Sequence, residues 1–247
     1  MKKIAFINQK GGTGKTTTSA NLGAALALLR KKVLLIDLDS QGNLGYSFGV
    51  DGSRGSVTDV LLGRRGLMQV LSERENLWIA PSDGRLADLE LSLVGVAGRE
   101  MLLRNQLARL DGFDLVFIDC SPSLSVLTIN ALTAADEVVI PLQMEILSLH
   151  GLAKILATIR EVREVLNHGL KINGIIPCMF DRRRKLSQEV LDQVQAKLGG
   201  AVYSTVIREC VRIAEAPSFA RSVIAYAPGS NGADDFRRLA REFIRRN

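Results

Sequence analysis

Asn8-Gln9-Lys10-Gly11-Gly12-Thr13-Gly14-Lys15-Thr16 follows the apolar run Ile4-Ala5-Phe6-Ile7 and precedes a stretch rich in alanine and leucine. The order is strand, glycine-rich turn, helix. Glycines let successive backbone amides curl around an anion. The helix start adds its own free amides and partial positive charge. A lysine at position 15 then neutralises β- and γ-phosphate oxygens, and a hydroxyl at position 16 ligates Mg²⁺. The usual pattern asks for glycine where Gln9 stands, and a second lysine, Lys10, opens the turn. Gly11, Gly12, Thr13, Gly14, Lys15, Thr16 and Thr17 are therefore expected to bind ATP with Mg²⁺.

Outward from this loop, short Val- and Ile-rich runs alternate with longer helical patterns. Residues 4–8, 33–37, 77–81, 115–119, 137–142, 172–179 and 202–206 read as strands. Several are apolar without alternation, as strands buried on both faces of a parallel sheet are. Residues 16–29, 146–166, 186–198 and 234–246 carry apolar residues at helical spacing, and the second and third stop at glycines. Such alternation predicts an α/β fold with a doubly wound, mostly parallel sheet flanked by helices, and the glycine turn before Lys15 makes it of the P-loop NTPase kind. A chain of 247 residues without repeats or long linkers is read as one domain, 1–247. Residues 42–66, rich in glycine and charge, read as a loop near the nucleotide.

Two more apolar runs end in carboxylates, at Asp37-Leu38-Asp39 and at Asp119-Cys120-Ser121. Open α/β sheets bind ligands at these strand ends. Asp119 suits the Walker B role of holding Mg²⁺, and Asp39 suits a position near the metal and the attacking water. Asp37 reads equally as a site carboxylate or as a structural one. Other chemistries find little support. The three cysteines, Cys120, Cys178 and Cys210, are isolated, which argues against disulfides, zinc and iron–sulfur sites. The N-terminal apolar run is too short for a signal peptide, and no stretch approaches a membrane span, so the cytoplasm is expected.

Taken together, these segments resemble the ParA/MinD group of deviant Walker A ATPases, and within it the chromosomal ParA (Soj) type. The resemblance rests on residues 8–18, on residues 33–43, on Asp119-Cys120-Ser121-Pro122 with the helix after it, on Pro141-Leu142-Gln143-Met144-Glu145, and on Glu215-Ala216-Pro217-Ser218. It implies slow, partner-stimulated ATP hydrolysis in a homodimer with ATP sandwiched between subunits. Lys10 would reach the partner's phosphates in the manner of an arginine finger, with Lys15 and Asp39 as the other catalytic residues. It further implies non-specific double-stranded DNA binding, a ParB-like activator, and a nucleoid-associated role in chromosome or plasmid partition. The alternatives are a MinD-like spatial regulator on the membrane and ParA-like positioning of a non-DNA cargo.

The chain departs from its relatives at several points. Ser40 and Ser121 stand where relatives carry proline. Ile207-Arg208-Glu209-Cys210-Val211-Arg212 stands for Ile-Pro-Arg-Asn-Val-Arg. The resemblance places the adenine beside Arg208 and Cys210, with backbone atoms as its contacts. For DNA, a net charge of +6 favours a polyanion. The dense run Arg182-Arg183-Arg184-Lys185, with Arg208 and Arg212, is expected to meet phosphates, with Glu209 opposing them. The basic C-terminal helix pattern has a short apolar stripe that fits packing on the sheet, so membrane association is not expected.

Overall fold

The computed structural model describes the backbone of residues 1–247 and every side chain except those of Leu147 and His150. Seven strands form one sheet: β1 (Lys2–Phe6), β2 (Val33–Leu38), β3 (Ser72–Arg74), β4 (Leu77–Ala80), β5 (Leu115–Cys120), β6 (Glu137–Gln143) and β7 (Lys171–Cys178), in the order β3-β4-β2-β5-β1-β6-β7. All neighbours are parallel except β3, which runs antiparallel to β4. Both the α/β class and the parallel sheet are as the apolar runs predict. β3 was not foreseen: its three residues are polar and largely exposed, so no hydrophobic pattern marks it.

The helices are α1 (Lys15–Leu28), α2 (Asn43–Tyr46), α3 (Val57–Leu61), α4 (Arg85–Ser92), α5 (Leu102–Leu107), α6 (Val126–Ala134), α7 (Ile146–Val165), α8 (Lys185–Leu198), α9 (Val211–Glu215), α10 (Val223–Tyr226) and α11 (Asn231–Arg246). Strand residues alternate between two cores. Ile4, Phe6, Leu35 and Phe117 pack under α1 and α11, while Ala5, Leu34, Ile36 and Ile118 pack under the helices of the other face. On the α1 side, Phe117 lies between Phe6 and Phe243, with ring centroids 4.9 and 5.8 Å away. Phe236, Leu239, Ala240 and Phe243 of α11 are all buried, so most of its apolar stripe packs on the sheet, while Ile244 at its end is 40% exposed.

Two expectations are corrected. Residues 42–66 are not a plain loop, since they contain α2 and α3. Ser56 and Asp59 cap α3 reciprocally, and Leu44, Phe48, Val57 and Val60 are buried. Residues 202–206 do not form a strand. Val202 makes one bridge to Ile175. The next amides are taken by a side chain: Ser204 and Thr205 each donate at 2.8 Å to the carboxylate of Glu242 on α11. A carboxylate that consumes two successive amides interrupts the pairing with β7, which resumes where the Ile207 amide donates to the Pro177 carbonyl at 2.8 Å.

Glu242 is itself buried and paired with Arg246 at 2.9 Å. Glu242→Ala strands those amides, and a loss of about 1–3 kcal/mol is expected in urea unfolding at unchanged m-value.

Candidate functional site

The carboxyl ends of β1, β2 and β5 lie side by side, with Asp37 in register with Asp119 and Phe6 in register with Asp119. Above them opens a cleft of about 700 Å³ lined by Gly11–Thr17, Asp39 and Ser121–Ser123 at one end. α1 starts directly behind Gly14, which holds φ 89° and provides no side-chain cap. The amides of its first turn are thus free to meet another acceptor. Gly12 also has positive φ, 72°, and a Cβ added there would meet nothing within 4 Å, so the turn faces open space.

Lys15 is only 6% exposed, and its Nζ donates to the Lys10 carbonyl at 3.4 Å. Burial lowers its pKa, while Asp119, Cys120 and Asp39 pull it back up. Asp37 and Asp119 are both fully buried, and burial pushes both carboxyls above the ordinary range. Their surroundings differ. Asp37 accepts from the amides of Asp39 (3.0 Å), Leu44 (3.1 Å) and Gly45 (3.4 Å), so it anchors the turn into α2. Neither oxygen of Asp119 has a hydrogen-bond partner. Asp37 repels its charge, while Thr16 and Lys15 favour it. A buried, unpartnered carboxylate beside a threonine hydroxyl fits a hard divalent cation. Among the described residues no group of three or more His, Cys, Asp and Glu is placed to hold a metal ion by itself, so such a cation would draw its other ligands from phosphate and water.

Asp39 is half-buried at the cleft, and its Oδ1 accepts from the Gln41 amide at 3.0 Å. Lys10 is turned away from Lys15: its Nζ donates to Glu145 Oε2 at 2.6 Å and to Gln143 Oε1 at 3.1 Å. The cleft is also walled by Tyr46, Phe48, Met179, Ile213, Pro217 and Arg221. Arg208 and Cys210 are not among its lining residues. Arg208 instead forms an ion pair at 2.7 Å with Asp235, which is completely buried. These wall residues are ones the sequence reading did not pick as site residues. Met179 directly follows β7 and was findable by the strand-end rule, and Pro217 lies in the quoted Glu215–Ser218 segment.

The basic run is brought against the 208–212 segment by paired backbone bonds between Phe180 and Ile207 and between Glu209 and Phe180. Its charges are partly answered locally. Arg183 and Arg184 meet Asp181 at 3.0 and 3.5 Å, Arg184 meets Glu209 at 3.9 Å, Lys185 meets Glu189 at 3.6 Å, and Arg212 meets Glu215 at 2.7 Å. Arg182 has no ion pair among the described residues. The Arg183 and Lys185 side chains are 89% and 92% exposed. Exposed pairs of this kind are worth about 0–1 kcal/mol, so phosphates compete with them easily. Arg208 is the exception, because releasing it would leave Asp235 buried with less compensation.

The fold and cleft define a P-loop NTPase. The family model described as an AAA domain matches residues 1–172. The chromosome partitioning protein ParA of Caulobacter vibrioides is 44% identical over 253 residues, spanning 100% of this chain and 95% of that protein. The chromosome-partitioning ATPase Soj of Thermus thermophilus is 46% identical over 248 residues, spanning 100% and 96%. A Mycobacterium smegmatis protein described as cobyrinic acid a,c-diamide synthase, solved with an ATP analog and magnesium, superposes with a TM-score of 0.86 at 39% identity, covering 99% and 95%. The chain belongs to the ParA/Soj family of partitioning ATPases within the ParA/MinD superfamily.

Without nucleotide or divalent cation, Asp119→Asn is expected to stabilise the fold by about 1 kcal/mol, seen as a higher Tm. The folded chain holds protons that the unfolded chain has released. Its stability therefore falls as pH rises from the carboxylate range toward neutrality, and this slope should flatten in the variant.

Proposed function

We propose that this chain is an ATP- and Mg²⁺-dependent ATPase that dimerises around ATP, binds DNA without sequence preference, and partitions chromosomes or plasmids with a ParB-like activator. The observation that carries this reading is the pairing of an uncapped helix start and buried Lys15 with the unpartnered carboxylate of Asp119. In this reading the amides of residues 11–16 and the Lys15 ammonium hold the phosphates. Thr16 and Asp119 hold Mg²⁺, which supplies charge neutralisation across the β- and γ-phosphate oxygens when bound. Asp39 orients the attacking water.

Lys10 leaves Glu145 and Gln143 to add positive charge at the partner's phosphates. Its present pair is exposed on both sides, 41% and 42% by side chain, so leaving it costs little. Arg182, Arg183, Arg184, Lys185 and Arg212 supply phosphate contacts, and a nucleoid-associated place in the cytoplasm follows. Residues 1–247 act as one domain, since one sheet serves both cores. A membrane-bound regulator gains no support: most of the apolar stripe of α11 is buried, and no described helix is long and apolar enough to cross a membrane. Positioning of a non-DNA cargo shares this biochemistry and differs only in its partner.

DNA retention measured with ADP, ATP and a non-hydrolysable analogue over a salt series tests the reading. Binding should require ATP or the analogue and fall with salt by about 0.9 log units per phosphate contact per log unit of salt. Equal retention with ADP, or none at low salt, would remove DNA from the reading.

Single substitutions separate the roles. Lys15→Ala should weaken ATP binding by about 100-fold or more, read by equilibrium dialysis. Asp39→Ala should keep ATP and stay on DNA while hydrolysis falls at least about 100-fold. Normal turnover in Asp39→Ala would overturn that assignment.

A further inference from the structure

At the opposite end of the sheet from Lys15, a second cleft of about 530 Å³ opens where β2, β4 and β5 begin. That volume lies within the range of small-molecule sites, about 300–1,000 Å³. Arg30, Lys31 and Lys32, three consecutive exposed cations, stand on one wall. None of them forms an ion pair among the described residues.

Cations after a helix often serve to close its carboxyl end. Here that end is already closed by backbone: the amides of Leu29, Arg30 and Lys31 donate to the carbonyls of Leu26 and Ala27 at 2.9–3.1 Å. Arg30 moreover holds φ 61°, a left-handed position where glycine is favoured. The three cationic side chains are not consumed by the helix end.

Across the cleft stand aromatic and mixed polar groups. Trp78 and Phe113 meet edge to face, with centroids 6.4 Å apart and planes at 81°. Met68, 59% exposed, extends the apolar surface. Glu73, Asp111 and Asn76 complete the lining. A simple anion would be repelled by the two carboxylates, and a plain aromatic would leave the cations unused. A ligand with phosphate at one end, a flat ring at the other, and N–H or O–H donors between uses every group.

We propose that this cleft binds a nucleotide-class anion. Its phosphate lies on Arg30, Lys31 and Lys32, its base against Trp78, and its hydroxyl or amino donors toward Glu73 and Asp111. The site is separate from the Lys15 cleft and does not depend on the function proposed for it.

Trp78 is the only tryptophan in the chain, so its emission reports this cleft directly. The test titrates GMP into the full chain without divalent cation and follows that emission, with guanosine and inorganic phosphate as separate arms. Saturable quenching is expected for GMP, with at least tenfold weaker binding of guanosine or phosphate alone. Arg30→Gly/Lys31→Ala should weaken GMP at least tenfold while basal ATP hydrolysis persists, since glycine suits the left-handed backbone at position 30. Lys15→Ala should leave the quenching within twofold. If the double variant loses hydrolysis, Lys32→Ala replaces it, with at least threefold weakening expected. Absence of quenching up to about 1 mM GMP overturns the proposal. So does guanosine binding as tightly as GMP, or quenching lost in Lys15→Ala but kept in the Arg30 and Lys32 variants.

Discussion

Asp119 is a carboxyl group sealed at the end of β5 with no donor for either oxygen, and much of the site's arrangement answers that condition. Lys15 is buried nearby and favours its charge, while Asp37, one strand over, opposes it. Asp37 carries three amide donors, so the two neighbouring acids are unlike in kind: one builds the turn into α2, and the other remains open to a ligand. A buried group left this way costs stability. The fold tolerates it where β5 and its neighbour β2 are buried along their whole length.

Much of this was readable from residue order. Apolar runs without alternation placed the parallel strands, and the glycine turn before Lys15 placed the uncapped start of α1. Carboxylates at strand ends placed Asp39 and Asp119. What escaped the sequence has physical causes. β3 has no apolar residue to betray it. Residues 202–206 have the composition of a strand, but two of their amides are claimed by Glu242, nearly forty residues later in the chain. The uncertain role of Asp37 could be decided only by counting its donors in three dimensions.

The same lesson applies to charge. Arg208 was read as a nucleotide residue because the family resemblance places its position beside the adenine, and as a DNA residue because it adds charge near the basic run. The structure instead gives its guanidinium to Asp235, which lies at zero exposure. Arg183 and Lys185 have acidic partners too, yet their side chains are almost wholly in water. Charge pairing thus separates by burial into bonds that hold the fold and bonds that an incoming polyanion can exchange. Sequence composition alone counts both as basic surface.

The margins of the sheet have a consequence for how copies of this chain can meet. On one side the outermost strand is only Ser72–Arg74, short and charged; on the other, the segment from Val202 to Arg208 covers β7 with scattered bridges, and two of its amides go to Glu242. Long, flat, apolar borders invite strand addition and runaway polymerisation. With both borders blunted, strand-to-strand addition between copies of this chain is disfavoured at either margin of the sheet.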